Sequence, residues 1–213
     1  MSIDPINEVR SSIYQLLSSL FAKEIDSDRL KFLTDSKGKA FWQQLALDEG
    51  FKVDIDIIVA RLNELNSESE ILELAADYCN LFLMGGKKSA SPYASLYVDE
   101  SLKSDDEIQI FGEQHQKMTQ FLQRSQLQVE SKFPEPADHI AVVLAYIANQ
   151  CTQEQPVSYA QQLSFISDNL ADWIASFVAK VEESDQGHFY SALARLTQSW
   201  IMSEQQWLIE EAS

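Results

Sequence analysis

Apolar residues recur at intervals of three and four along nearly the whole chain, the spacing that lines one face of an α-helix. Asp4 and Pro5 suit the cap and first position of an opening helix, whose predicted inward face is Ile6, Val9, Ile13, Leu16, Leu17 and Leu20. Shorter helices are predicted over residues 28–34, 39–47 and 54–65, the last presenting Ile57, Ile58, Leu62 and Leu65. Ser67 with Glu70 three places on is a capping-box signature, and Ile71, Leu74, Ala75, Tyr78, Leu81 and Phe82 continue as the stripe of a central helix that Gly85 and Gly86 end. Residues 87–103 lose the helical period. Ser104 with Glu107 then reads as a second capping box, followed by Ile108, Phe111, His115, Met118, Phe121 and Leu122 as an inward face.

Three more stripes follow: Ile140, Val143, Leu144 and Ile147; Phe165, Ile166, Leu170, Trp173, Ile174, Phe177 and Val181; and Phe189, Leu193, Leu196 and Trp200. No run forms a sheet pattern and no unit repeats, so the expected fold is all-α, a bundle of about nine or ten helices. Composition shifts over the polar residues 124–134. This predicts an N-terminal subdomain over 1–123, a hinge over 124–134 and a C-terminal subdomain over 135–213. Such a hinge invites domain swapping, and a monomer and a swapped dimer would use the same contacts.

Composition narrows the function. With 213 residues, 45% of them apolar, the chain has ample material for a packed core. Sixteen Lys and Arg against 33 Asp and Glu give a formal charge of −17, which repels nucleic acid and anionic membrane and favours a cationic partner. Cys79 and Cys151 are far apart and lie in apolar helical patterns, as expected of buried free thiols in a reducing compartment. The first residues show no basic stretch leading into a long apolar run, and no segment has the eighteen or so apolar residues of a membrane span. A cytoplasmic location is therefore expected.

The most informative stretch is residues 133–148. Glu135, Asp138 and His139 crowd one turn, bracketed by Pro134 and Pro136, and an apolar helix follows. Pro136 suits the first helical position and Asp138 the first turn, where a carboxylate meets the positive end of the helix dipole. The expectation is two acids and an imidazole at the exposed start of a buried helix. One reading is a helix cap; another is a binding site. Enzyme signatures are sparse. Gly86, Lys87, Lys88 and Ser89 lack the Walker spacing, and Leu81 stands where its first glycine belongs. His115, His139 and His188 are scattered, with His115 expected as a satisfied core residue. Glu135 and His139 are four apart, yet spacing supplies neither a third metal ligand nor a nucleophile. A small metal-dependent or acid/base hydrolase built on Glu135, Asp138 and His139 is one alternative, and a generic acidic scaffold another. No catalytic residue or metal set is assigned.

Three motifs together resemble the TorD/DmsD family of redox-enzyme maturation chaperones, in its TorD branch. Tyr78, Leu81, Phe82 and Gly86 fit its aromatic and Leu-Phe pattern before a glycine turn. Pro92, Tyr93, Ser95 and Tyr97 fit its Pro-Tyr-x-Ser-x-Tyr loop, and Glu135, Pro136, Asp138 and His139 fit its E-P-x-D-H motif. Trp173 matches a tryptophan of the family, so the resemblance spans roughly residues 71–200. The chain departs at Ala94, where members often carry an acid, and at Asp172, where they often carry proline. The resemblance implies a cytoplasmic, non-enzymatic chaperone without a cofactor of its own. Its partners would be the apo form and twin-arginine signal peptide of a molybdenum-cofactor reductase, with a trimethylamine N-oxide reductase as leading client. Glu135 and Asp138 would accept the arginines, which pair bidentately with carboxylates. Pro136 and His139 would stand beside them, and Tyr93, Ser95, Leu96 and Tyr97 would supply further contacts. Weak guanine nucleotide binding is implied by the family alone and has no phosphate motif here.

Overall fold

The computed structural model describes residues 4–98, 111–129, 133–153 and 157–212. Ten α-helices occur among them: α1 (Pro5–Ala22), α2 (Ser27–Thr34), α3 (Ser36–Leu45), α4 (Glu49–Glu64), α5 (Glu68–Tyr78), α6 (Glu113–Arg124), α7 (Ile140–Thr152), α8 (Tyr159–Ile166), α9 (Asp172–Ser184) and α10 (Phe189–Glu211). The all-α expectation holds. The capping box at Ser104 and Glu107, and Ile108, lie outside the described residues, as does the middle of the 124–134 stretch.

Local chemistry sets the helix starts. The Asp4 carboxylate accepts from Ile6 N at 2.9 Å, and Asp26, Asp35 and Asp48 cap α2, α3 and α4 through side-chain oxygens. Each cap satisfies a backbone donor that has no partner within its helix. The Ser67 and Glu70 capping box forms as expected. After Tyr78, one π-helical turn over Cys79–Leu83 carries the chain to the Gly85 and Gly86 turn, where φ is +68° and +99°. A second π-turn, Ser167–Ala171, joins α8 to α9.

The described chain groups into two compact units, one of residues 1–22, 92–175 and 203–213, the other of residues 23–91 and 176–202. This differs from the sequential division at 124–134, because α1 packs on α7 and so joins the later part of the chain. Ser11 Oγ donates to Ala148 O at 2.9 Å and Ser18 Oγ to Ala141 O at 2.7 Å, which ties the two helices antiparallel. The face α1 buries includes Arg10, Ile13, Tyr14, Leu17 and Leu20. Ile6 and Val9, expected inside, are 51% and 56% exposed. In the register the two serine bonds set, they stand level with the last turn of α7 or beyond it. Phe111 is likewise 66% exposed, because α6 starts only at Glu113 and the ring precedes its inward face.

The first unit also holds a buried polar cluster. Arg10 Nε donates to both carboxylate oxygens of Glu204 at 3.0 and 2.9 Å, its guanidinium reaches Gln162 Oε1 at 2.8 Å, and it lies 4.6 Å from the Trp207 ring centroid. Burial raises the Glu204 carboxyl above the ordinary range, while hydrogen bonds and charge from Arg10 pull it back. In the second unit Phe82 contacts the rings of Tyr78, Phe177 and Tyr190. Tyr78, Phe82 and Gly86 thus serve the core and turn of this unit. Cys79 is half-buried and Cys151 buried, and both are free; burial pushes the Cys151 thiol up to about 11. Among the described residues no helix is long and apolar enough to cross a membrane.

Candidate functional site

The chain approaches α7 without regular secondary structure over 133–136 and turns through Ala137 and Asp138, with His139 N donating to Pro136 O at 3.0 Å. The helix therefore begins later than Pro136 and Asp138 suggested. His139 is its cap: Nδ1 accepts from Ala141 N at 3.1 Å. Asp138 and His139 are 1% and 2% exposed, so the expected open cluster is a buried one. The reason lies in residues 92–98, which close over it.

Residues 92–98 and 135–140 clasp each other through backbone and side chains. Ile140 N donates to Pro92 O at 2.8 Å and Ala94 N to Asp138 O at 3.1 Å, and Tyr93 pairs with His139 as an isolated antiparallel bridge. Ser95 gives both its N–H and its hydroxyl to Asp138 Oδ2, at 3.0 and 2.6 Å, across the short turn Ala94–Leu96. Tyr93 hydroxyl donates to Glu135 Oε2 at 2.5 Å. Five hydrogen bonds thus join two motifs about forty residues apart. Asp138 Oδ1 is buried with no hydrogen-bond partner among the described residues.

Rings complete the cluster. The His139 imidazole stands edge-on to Tyr93 and Phe133, with centroids 5.2 and 5.1 Å away. Burial among them pushes it down to about 3, so it is neutral at physiological pH. Tyr97 stacks on the fully buried Trp173 at 5.8 Å, and burial drives its hydroxyl pKa above the ordinary range. Leu96 is half-buried, and Pro136 is buried. His115, expected as a satisfied core residue, is half-buried and accepts from Ala137 N through Nδ1 at 2.9 Å. This positioning contact has no signature in sequence, because its partner is a backbone donor in a distant turn.

The arrangement bears on chemistry. A general base needs a pKa near working pH and reach to a proton; His139 has its Nδ1 committed to the α7 cap, and Glu135 is bonded to Tyr93. Among the described residues no three His, Cys, Asp or Glu gather as a metal site. Of the two acids, Glu135 is the half-exposed one, and Asp138 is taken up by Ser95.

The nitrate reductase delta subunit family matches residues 44–179. Curated chaperone proteins TorD from Shewanella pealeana and Colwellia psychrerythraea are 58% and 40% identical to this chain, covering 99% and 96% of it and 95% and 93% of the relatives. The chain belongs to the TorD chaperone family. A TorD relative from Vibrio vulnificus still shares 34% identity over 97% of this chain and 98% of its own. The crystal structure of an Archaeoglobus fulgidus protein assigned to redox enzyme maturation aligns with TM-score 0.52 at 20% identity, over 94% of this chain and 93% of that one, and so shares the fold. Within this TorD-family chain, the residues that carried the resemblance are divided between the two units. Pro92, Tyr93, Ser95, Tyr97, Glu135, Pro136, Asp138, His139 and Trp173 lie in the first unit, whereas Tyr78, Phe82 and Gly86 lie in the second.

Proposed function

We propose that this protein is a cytoplasmic chaperone that binds the apo form and twin-arginine signal peptide of a molybdenum-cofactor reductase, and holds the client until the cofactor is inserted. A trimethylamine N-oxide reductase is the client that accords with the TorD relatives. The full-length likeness to proteins named TorD carries this reading, with both loop motifs present and closed upon each other. The −17 formal charge supports it, since a leader with paired arginines is cationic. Glu135 is the acid placed to meet a guanidinium, and Asp138 and His139 act by holding residues 92–98 in place. The chaperone needs no cofactor of its own, acts without catalysis, and works as monomer or dimer.

Co-purification tests the proposal. The chain, mixed with a trimethylamine N-oxide reductase precursor made without molybdenum cofactor, should elute as a complex, and the cofactor-loaded mature enzyme should not be retained. Equal retention of both forms, or of neither, would contradict it.

A further inference from the structure

Helix α7 is buried at every position from Ile140 to Cys151 except two: Ala145 is exposed and Asn149 half-buried. Four residues apart, they share one helical face. That face is the floor of an apolar groove of about 430 Å³, within the range of roughly 300 to 1,000 Å³ typical of ligand pockets. Ala22, Ala141 and Ala145 keep the floor low, and Val129, Phe133 and Tyr146 line its walls. Its polar lining is partly engaged: Ser18 donates to Ala141 O and Asn149 accepts from Gln153. No charged residue lines it among the described residues.

The groove is continuous with the clasp. Phe133 contributes to its lining and also contacts the His139 ring, which in turn contacts Tyr93. Glu135, two residues beyond Phe133, is half-exposed, with one carboxylate oxygen accepting from the Tyr93 hydroxyl. An apolar trough whose described lining carries no charge, with an acid close by in the chain, in a strongly anionic protein, complements a segment that carries cations next to an apolar run.

We propose that this groove holds the apolar segment of the client's leader, lying over Ala145 with its arginines toward Glu135. The inference rests on the chaperone reading above and gives it a location. Because Ala145 points away from the core, a larger side chain there fills the trough without crowding the bundle.

The test is fluorescence anisotropy with a labelled synthetic twin-arginine leader of a trimethylamine N-oxide reductase. Ala145→Trp should weaken binding at least tenfold, and Ala145→Ser should stay within about twofold of wild type. A leader with a photoreactive leucine in its apolar run should crosslink wild-type protein within residues 141–149, a readout independent of whether any variant folds. Wild-type binding that Ala145→Trp leaves unchanged, with crosslinks elsewhere, would overturn the groove and leave the chaperone reading intact. Loss of a dimer in Ala145→Trp at unchanged leader affinity would overturn it in favour of a second copy in the groove. Failure of wild type to bind any leader would overturn groove and reading together.

Discussion

His139 makes the buried clasp measurable through pH. The unfolded chain should bind a proton at this residue near the ordinary value of 6.5, whereas the folded protein holds it down to about 3. Between these values the unfolded state carries more protons, so this residue's contribution to stability is complete above about pH 6.5. It is lost progressively as pH falls toward the folded value. Lowering pH from 7.5 to 5.0 crosses about 1.5 units below 6.5, worth about 2 kcal/mol at 1.36 kcal/mol per unit. His139→Asn removes the titration and supplies a side-chain oxygen for the Ala141 N–H, asparagine being a favoured cap. Urea unfolding of both proteins at the two pH values yields the difference of differences. Contributions from other groups, including Glu204 and Asp54, whose carboxyls burial raises, cancel between the two proteins. Wild type should lose about 2 kcal/mol more than His139→Asn. Equal losses would refute a buried, neutral imidazole.

Asp138→Ala removes the acceptor of two Ser95 hydrogen bonds and should cost about 2–4 kcal/mol in urea unfolding, with faster proteolysis at residues 92–98; unchanged stability would deny the clasp. Arg10→Met should cost about 3–5 kcal/mol by leaving Glu204 buried without its cation, and Arg10→Met with Glu204→Leu should recover most of it, as a thermal-melt double-mutant cycle would show. Gly38→Ala should destabilise by about 1–3 kcal/mol, because its methyl would lie 2.5 Å from the backbone oxygens of Phe32 and Leu33. Gly50→Ala, facing only a side-chain oxygen at 3.1 Å, should cost less in the same chemical denaturation.

What was legible in sequence was what short-range chemistry determines. Asp4 and Ser67 cap the helices they were expected to cap, because a cap is specified within three residues. The periodic stripes gave the all-α class. The π-turn at Cys79–Leu83 was not legible, since one wider turn leaves the apolar pattern nearly intact. Arg10 carries no sequence signal because a lone cation at helical spacing reads as surface; its partners Gln162 and Glu204 lie 152 and 194 residues away. The motif residues 135–139 form a cluster visible in sequence, but their burial is not, because the residues that cover Asp138 and His139 arrive from 92–98. Ala145 carries no sequence signal at all: in an apolar helix, only its neighbours' arrangement makes it a floor.

Recognition of a cationic, apolar leader by the purified chain is measured by isothermal calorimetry. Three synthetic leaders of a trimethylamine N-oxide reductase serve: native, with both arginines replaced by glutamine, and with the apolar run made polar. Saturable binding of the native leader is expected, with affinity reduced at least tenfold by either change. Equal binding of all three peptides, or of none, would contradict it.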